Sequence, residues 1–182
     1  MFKTLGSAFK NRELRKAILM TMLFLLIYRL GCYLPVPGLK ASVYADAVSN
    51  ENGMGILSLL NAVTGSALSN GAFFALGVTP YINTSIIVQL LTFGIPALER
   101  LSKQGDDGKQ KINLITKIVA LVLAIAQGVG IVLGYKDSIA PIFGENLMWL
   151  TYIFVIVTLI AGASLTMWIG DRITEQGVGN GL

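Results

Sequence analysis

Of the 182 residues, 54% are hydrophobic and only 13% charged, with a mean hydropathy of +0.69 and a formal net charge of +4. A soluble domain carries about a quarter charged residues, so this composition excludes an ordinary water-soluble fold and points to a chain that lives mostly in lipid. The sequence has no histidine, which removes the commonest general base and metal ligand, and one cysteine, Cys32, which excludes an internal disulfide.

A basic tail, 1–16, opens the chain with Lys3, Lys10, Arg12, Arg15 and Lys16. An apolar segment, 17–34, follows. A bilayer core about 30 Å thick needs roughly 20 predominantly apolar residues in a helix, which also satisfies its own backbone hydrogen bonds. The segment therefore reads as a first membrane helix. It does not read as a signal peptide, because the small-x-small triplet "ADA" at 45–47 lies well beyond the apolar run and two prolines. Its one internal charge, Arg29, is expected to snorkel toward the outer headgroups.

The connection 35–71 contains "NGMGILSLLNAVTGSALSNG", whose apolar core is too short to cross a bilayer and is bounded by glycines. Met54, Leu57 and Leu60, and Ile56, Leu59 and Val63, recur at helical spacing. Residue chemistry alone leaves a helix lying in the interface and one re-entering the bundle as equal alternatives. Re-entry is tolerated only where protein or a water-filled cavity surrounds the backbone.

A second span, 72–95, is apolar but holds Thr79, Pro80, Tyr81, Asn83, Thr84, Ser85 and Gln89. At 100° per residue Val78, Ile82, Ser85 and Gln89 share one stripe, with Thr79, Asn83 and Leu90 beside it. Pro80 is expected to remove a backbone donor, free a carbonyl near Leu76 and loosen the helix beside Gly77. The bland reading is that the polar groups join neighbouring helices; the sharper one is that they line a path or a movable seam. A polar loop, 96–113, leads to a third span, 114–134, whose one strongly polar interior residue, Gln127, makes a plausible neutral pair with Asn83. A loop, 135–146, a fourth span, 147–169, and a tail, 170–182, complete the chain.

Lysine and arginine crowd one side of these spans. The N-terminal tail, the 96–113 loop with adjoining Lys117, and Arg172 lie on that side, against Lys40 and Lys136 on the other. The positive-inside rule puts both ends in the cytoplasm. No carboxylate falls inside an expected span, so a proton relay or cation site is disfavoured. The chain lacks a GxxxxGK[ST] loop and an HExxH motif, which leaves nucleotide hydrolysis and metal catalysis without candidates.

Four blocks, "YRLGCYLPVPG" (28–38), "FFALGVTPYINTSIIVQLL" (73–91), "GKQKINLITK" (108–117) and "GDRITEQGVGNG" (170–181), resemble the SecY family, the bacterial protein-conducting channel, in order along essentially the whole chain. The resemblance implies an all-α membrane protein, four transmembrane helices plus a short re-entrant plug helix, forming the first part of a ten-helix pseudo-symmetric channel. It implies that the chain stops at Leu182, where a fifth helix begins. It assigns 53–69 as the plug, with Ile56, Leu57, Leu60, Asn61, Val63 and Thr64 its plug residues. It assigns Val78 and Ile82 to an aliphatic pore ring, and Asn83, Ile86 and Gln127 to a lateral gate that opens toward lipid.

The implied function is passage of unfolded secretory polypeptides across, and of membrane helices into, the bacterial plasma membrane, with no cofactor and no enzymatic activity of the chain itself. Implied partners are SecE and SecG subunits, a SecA motor (which consumes the ATP) or a ribosome, signal peptides, nascent polypeptides and membrane lipids, with no nucleic acid bound directly. Half of a solute transporter and a non-transporting scaffold are the rival readings. The missing intramembrane carboxylate speaks against the first, and the plug-like segment against the second.

Overall fold

The computed structural model describes residues 12–41, 45, 56–136, 139–179 and 181, with the side chains of 56–58, 60 and 106 left aside. Every regular element among them is helical: α1 (Arg12–Gly31), α2 (Ile56–Val63), α3 (Thr79–Gly94), α4 (Pro96–Ser102), α5 (Asp106–Gly134), a 3-10 turn (Glu145–Leu147) and α6 (Met148–Gln176). Strand-like pairing among the described residues occurs as two isolated bridges, Pro35 with Ala72 and Leu39 with Ile139.

By length and composition, Asp107–Gly134 and Glu145–Gln176 can cross a membrane, and the bent pair Thr79–Gly94 and Pro96–Ser102 makes a third if it is one span. The first helix, with Arg12, Arg15, Lys16 and Arg29, is not among them. It ends at Gly31, short of the expected 34. The chain then turns through Tyr33 N–H to Leu30 O and Leu34 N–H to Gly31 O. Pro35 keeps the helix from resuming, because the residue before a proline is pushed out of the helical region.

The second expected span, 72–95, is not one helix. Residues 73–78 form turns, with Gly77 at φ +52°, and the helix begins only at Thr79. Pro80 lies in the first turn of α3, where its missing N–H costs nothing. It therefore starts the helix instead of loosening it, and the Leu76 carbonyl accepts the Thr79 N–H at 3.3 Å. At its other end Ile95 is extended (φ −110°, ψ 112°) before Pro96, and the chain bends by 104° into α4.

The polar loop and tail are shorter than expected, since helix continues through their charged residues. The fifth helix starts at Asp106, not 114, after Gly105 at φ +75°. The sixth runs through Asp171 to Gln176 and stops at Gly177. Lys, Gln, Glu and Arg are good helix formers, so polarity marked the edge of the apolar run, not the end of the helix.

Packing follows small residues. In α5 Thr116, Ala120, Ala124, Gly128 and Val132 recur every four positions and are buried. In α6 Thr151, Val155, Leu159 and Ala163 repeat the spacing with larger side chains at its centre. Rows of small residues at i+4 let membrane helices approach closely, and α5 packs on both α3 and α6. A second cluster, Phe24, Cys32, Ala67, Ala72, Phe74 and Ile169, joins α1, the turn segment and α6. At Gly162 the Phe73 carbonyl lies so close to α6 that no Cβ fits, and at Gly31 the Phe74 ring does the same to α1.

Candidate functional site

The residues singled out by sequence gather on α2, the turns 64–78 and α3, except Gln127, which lies on α5. Residues 53–55 of the expected plug lie outside the described residues, and of Ile56, Leu57 and Leu60 only the helical backbone is described. Asn61 closes the helix end, its Oδ1 accepting the Ser69 N–H at 2.9 Å while its carbonyl accepts the Ser66 N–H at 2.8 Å. Thr64 is buried, donates to the Asn61 carbonyl at 3.2 Å and lies beside Gly77, whereas Val63 is exposed.

On α3 three rows separate. Pro80, Thr84 and Val88, four residues apart, are buried, and α3 packs on α5. Tyr81, Ser85, Gln89 and Thr92 line an open cavity of about 380 Å³, which Ile112, Asn113 and Thr116 of α5 close from the other side. Ile82 (39% exposed), Ile86 (53%) and Asn83 stand open. Val78 is half-buried as the N-cap of α3, and its carbonyl accepts the Ile82 N–H at 3.0 Å. Ile82, Asn83 and Ile86 thus stand open, off the row packed on α5, and a polar row runs alongside them.

Most of these polar groups do not serve as interhelical glue. Gln89 donates to Ser85 on its own helix at 3.2 Å, and Thr92 to the Val88 carbonyl at 2.7 Å. Tyr81 does reach α5, donating to Asn113 Oδ1 at 3.3 Å. No hydrogen bond joins Asn83 to Gln127, which is half-buried on α5. The hydroxyl of Thr84 is fully buried without a hydrogen-bond partner.

Two polar links were missed in the sequence. Arg29 is tied to the turn after α2: its Nη1 donates to the Gly65 carbonyl at 3.0 Å and its Nη2 to the Tyr33 hydroxyl at 3.2 Å. An isolated charge inside an apolar run was the available signal. Lys117 of α5 pairs with Asp171 of α6 at 2.7 Å. That carboxylate lies within a helix long enough to span, because α6 continues past its apolar run. Among the described residues no group of three His, Cys, Asp or Glu side chains could hold a metal ion.

Long apolar helices packed through small residues, with polar and charged groups between them, define a polytopic helical membrane protein. Among known families, the model for SecY matches residues 72–182. The protein translocase subunit SecY of Lactococcus lactis subsp. lactis (strain IL1403) is 40% identical over 182 residues, covering 100% of this chain and 40% of that protein. Its counterpart in Streptococcus sanguinis (strain SK36) is also 40% identical, covering 100% of this chain and 41% of its own length. That of Buchnera aphidicola subsp. Schizaphis graminum (strain Sg) is 38% identical over 192 residues, covering 100% and 43%. The chain belongs to the SecY family, and it spans about 40% of the curated relatives it matches.

Proposed function

We propose that this chain supplies the N-terminal part of a protein translocation channel, with α1, α3, α5 and α6 as its first four membrane helices and 53–69 as its plug. In this reading the spans cover 17–34, 72–95, 114–134 and 147–169, the tails and the 96–113 loop are cytoplasmic, and the membrane is the bacterial plasma membrane. The observation that carries it is the row of branched aliphatics on the open side of α3. Val78 and Ile82 lie one turn apart, just after the short α2 and its turns.

Branched aliphatic side chains exclude water and ions by packing, yet form no lasting bond to a passing polypeptide. A ring of them acts as a deformable, unselective seal. Ile86 and Asn83 continue along the same open side of α3, which suits a seam that parts toward lipid, with Gln127 on the neighbouring helix. Signal peptides and unfolded polypeptides are the substrates. SecE, SecG, and SecA or a ribosome are the partners, engaged mainly through parts of the channel outside this chain.

A photo-crosslinking residue at Ile82, in a channel completed with its second half and holding a stalled secretory precursor, tests the reading. A control at Leu133, exposed on α5, reports chance proximity. Strong adducts at Ile82 and few at Leu133 are expected. Full export with no adduct at Ile82 removes it from the ring.

A further inference from the structure

The turn that ends α2 is built around one peptide plane. The helix closes with the Ser66 N–H on the Asn61 carbonyl and the Gly65 N–H on the Ala62 carbonyl. This is the Schellman pattern, with Gly65 left-handed at φ +63°. Ser66 is left-handed too, at φ +68°, the one described non-glycine residue with a positive φ. The peptide between Gly65 and Ser66 is thus flanked by a glycine in a conformation that glycine adopts readily and by a serine in one that side-chain-bearing residues seldom adopt.

Its oxygen is the one that Arg29 holds, across 36 residues of sequence. The guanidinium is itself oriented, with the Tyr33 hydroxyl on Nη2 and the Tyr33 ring 5.2 Å from its centre. Three residues further along, the Cys32 thiol donates to the Thr64 carbonyl at 3.6 Å, and Asn70 reaches the Cys32 carbonyl at 3.4 Å. Arg29 and Cys32 thus put donors from the end of α1 on the two carbonyls that follow α2. A cation there also opposes the negative end of the helix dipole, which no basic residue in the last turn of α2 does.

Beyond this turn the chain is fixed. Ala67, Leu68, Ala72 and Phe74 are buried, Val36 donates to the Gly71 carbonyl at 2.9 Å, and Phe73 to the Leu34 carbonyl at 2.8 Å. On the near side Leu59 stands 64% exposed. Rotation of the Gly65–Ser66 peptide redirects α2 while the turn segment stays in place, at the loss of the Ser66 and Ser69 N–H bonds to Asn61 that cross it.

We propose that Arg29 is a clasp: by holding the Gly65 carbonyl it fixes the hinge about which α2 swings, and so sets the resting position of the plug. The inference rests on the reading of α2 as a pore-closing segment. Arg29 is a positioning residue in it, touching neither substrate nor pore.

The test places nitroxides, through bioorthogonal amino acids, at Leu59 and Leu133 of the completed channel, with Leu34 and Leu133 as a reference pair that does not cross the hinge. Arg29→Gln is expected to broaden the 59–133 distance distribution at least twofold and leave 34–133 unchanged. Arg29→Lys, which keeps the charge and loses the fork, and Tyr33→Leu, which keeps Arg29 and loses its support, should each broaden it less. A 59–133 distribution in Arg29→Gln as narrow as in the parent overturns the clasp, as does equal broadening of both pairs. Ionic current through the same channels separates the two readings. Broadening with raised leak supports both, whereas broadening without leak keeps the clasp and removes α2 as the seal.

Discussion

Thr84 and Gly162 are the residues where burial and chemistry disagree most with the usual preferences of a helix interior. The Thr84 hydroxyl is buried without a partner, and such a group costs about 1–3 kcal/mol. Valine has nearly the same shape and nothing to satisfy. Thr84→Val is expected to raise the stability of the detergent-solubilised protein by about 1 kcal/mol, read as a higher thermal midpoint. A lowered midpoint would mean that the hydroxyl finds a partner in the membrane. Gly162 is the opposite case, since the Phe73 carbonyl occupies the place of its side chain. The obstacle is backbone, which yields poorly, so Gly162→Ala is expected to lose about 2 kcal/mol in the same assay.

At the scale of elements, prolines and one ion pair set the geometry. Pro80 and Pro96 each open a helix, and the residue before Pro96 makes the 104° bend that folds α4 back beside α5. Between α5 and α6 the Lys117–Asp171 pair is partly exposed, with 36% and 24% of the two side chains accessible. Screening by solvent keeps such a pair modest, at about 1 kcal/mol of coupling. A double-mutant cycle of Lys117→Met and Asp171→Asn should read that value and see it shrink as salt is raised. Zero coupling at low salt would show that the two helices are held by their small-residue rows alone.

The whole molecule leaves much apolar surface open. Leu23 and Leu26 of α1, Leu90 and Phe93 of α3, Val122 and Leu133 of α5, and Trp149 and Val157 of α6 are all exposed, Phe93 by 87%. Patches of this extent need lipid or further helices. The chain expressed alone is expected to be protease-sensitive and polydisperse in mild detergent, and to gain resistance when the second half is co-expressed. A monodisperse, resistant chain would contradict this. Orientation is a property of the same scale. Cysteines placed at Ser102 should react with an impermeant reagent only from the cytoplasmic side, and those at Lys136 only from the outside. Reversed labelling would overturn the assigned sidedness.

The sequence by itself determined the membrane class, the approximate positions of the apolar runs and the family, because these depend on composition and on motifs contiguous in the chain. Helical spacing placed Val78 and Ile82 on one stripe with Ser85 and Gln89, whereas the structure separates them, with Ser85 and Gln89 lining the cavity against α5 and Ile82 left open. The limits of the helices were not legible. Apolar length measures what lipid can cover, whereas a helix continues through Lys, Gln and Glu until a glycine or proline stops it. Nor could the sequence show that Arg29 turns to Gly65, or that Lys117 meets Asp171. Both join residues far apart along the chain. Such partners are chosen only when packing brings two backbones together and leaves a carbonyl or a carboxylate within reach of a charge that has nowhere cheaper to go.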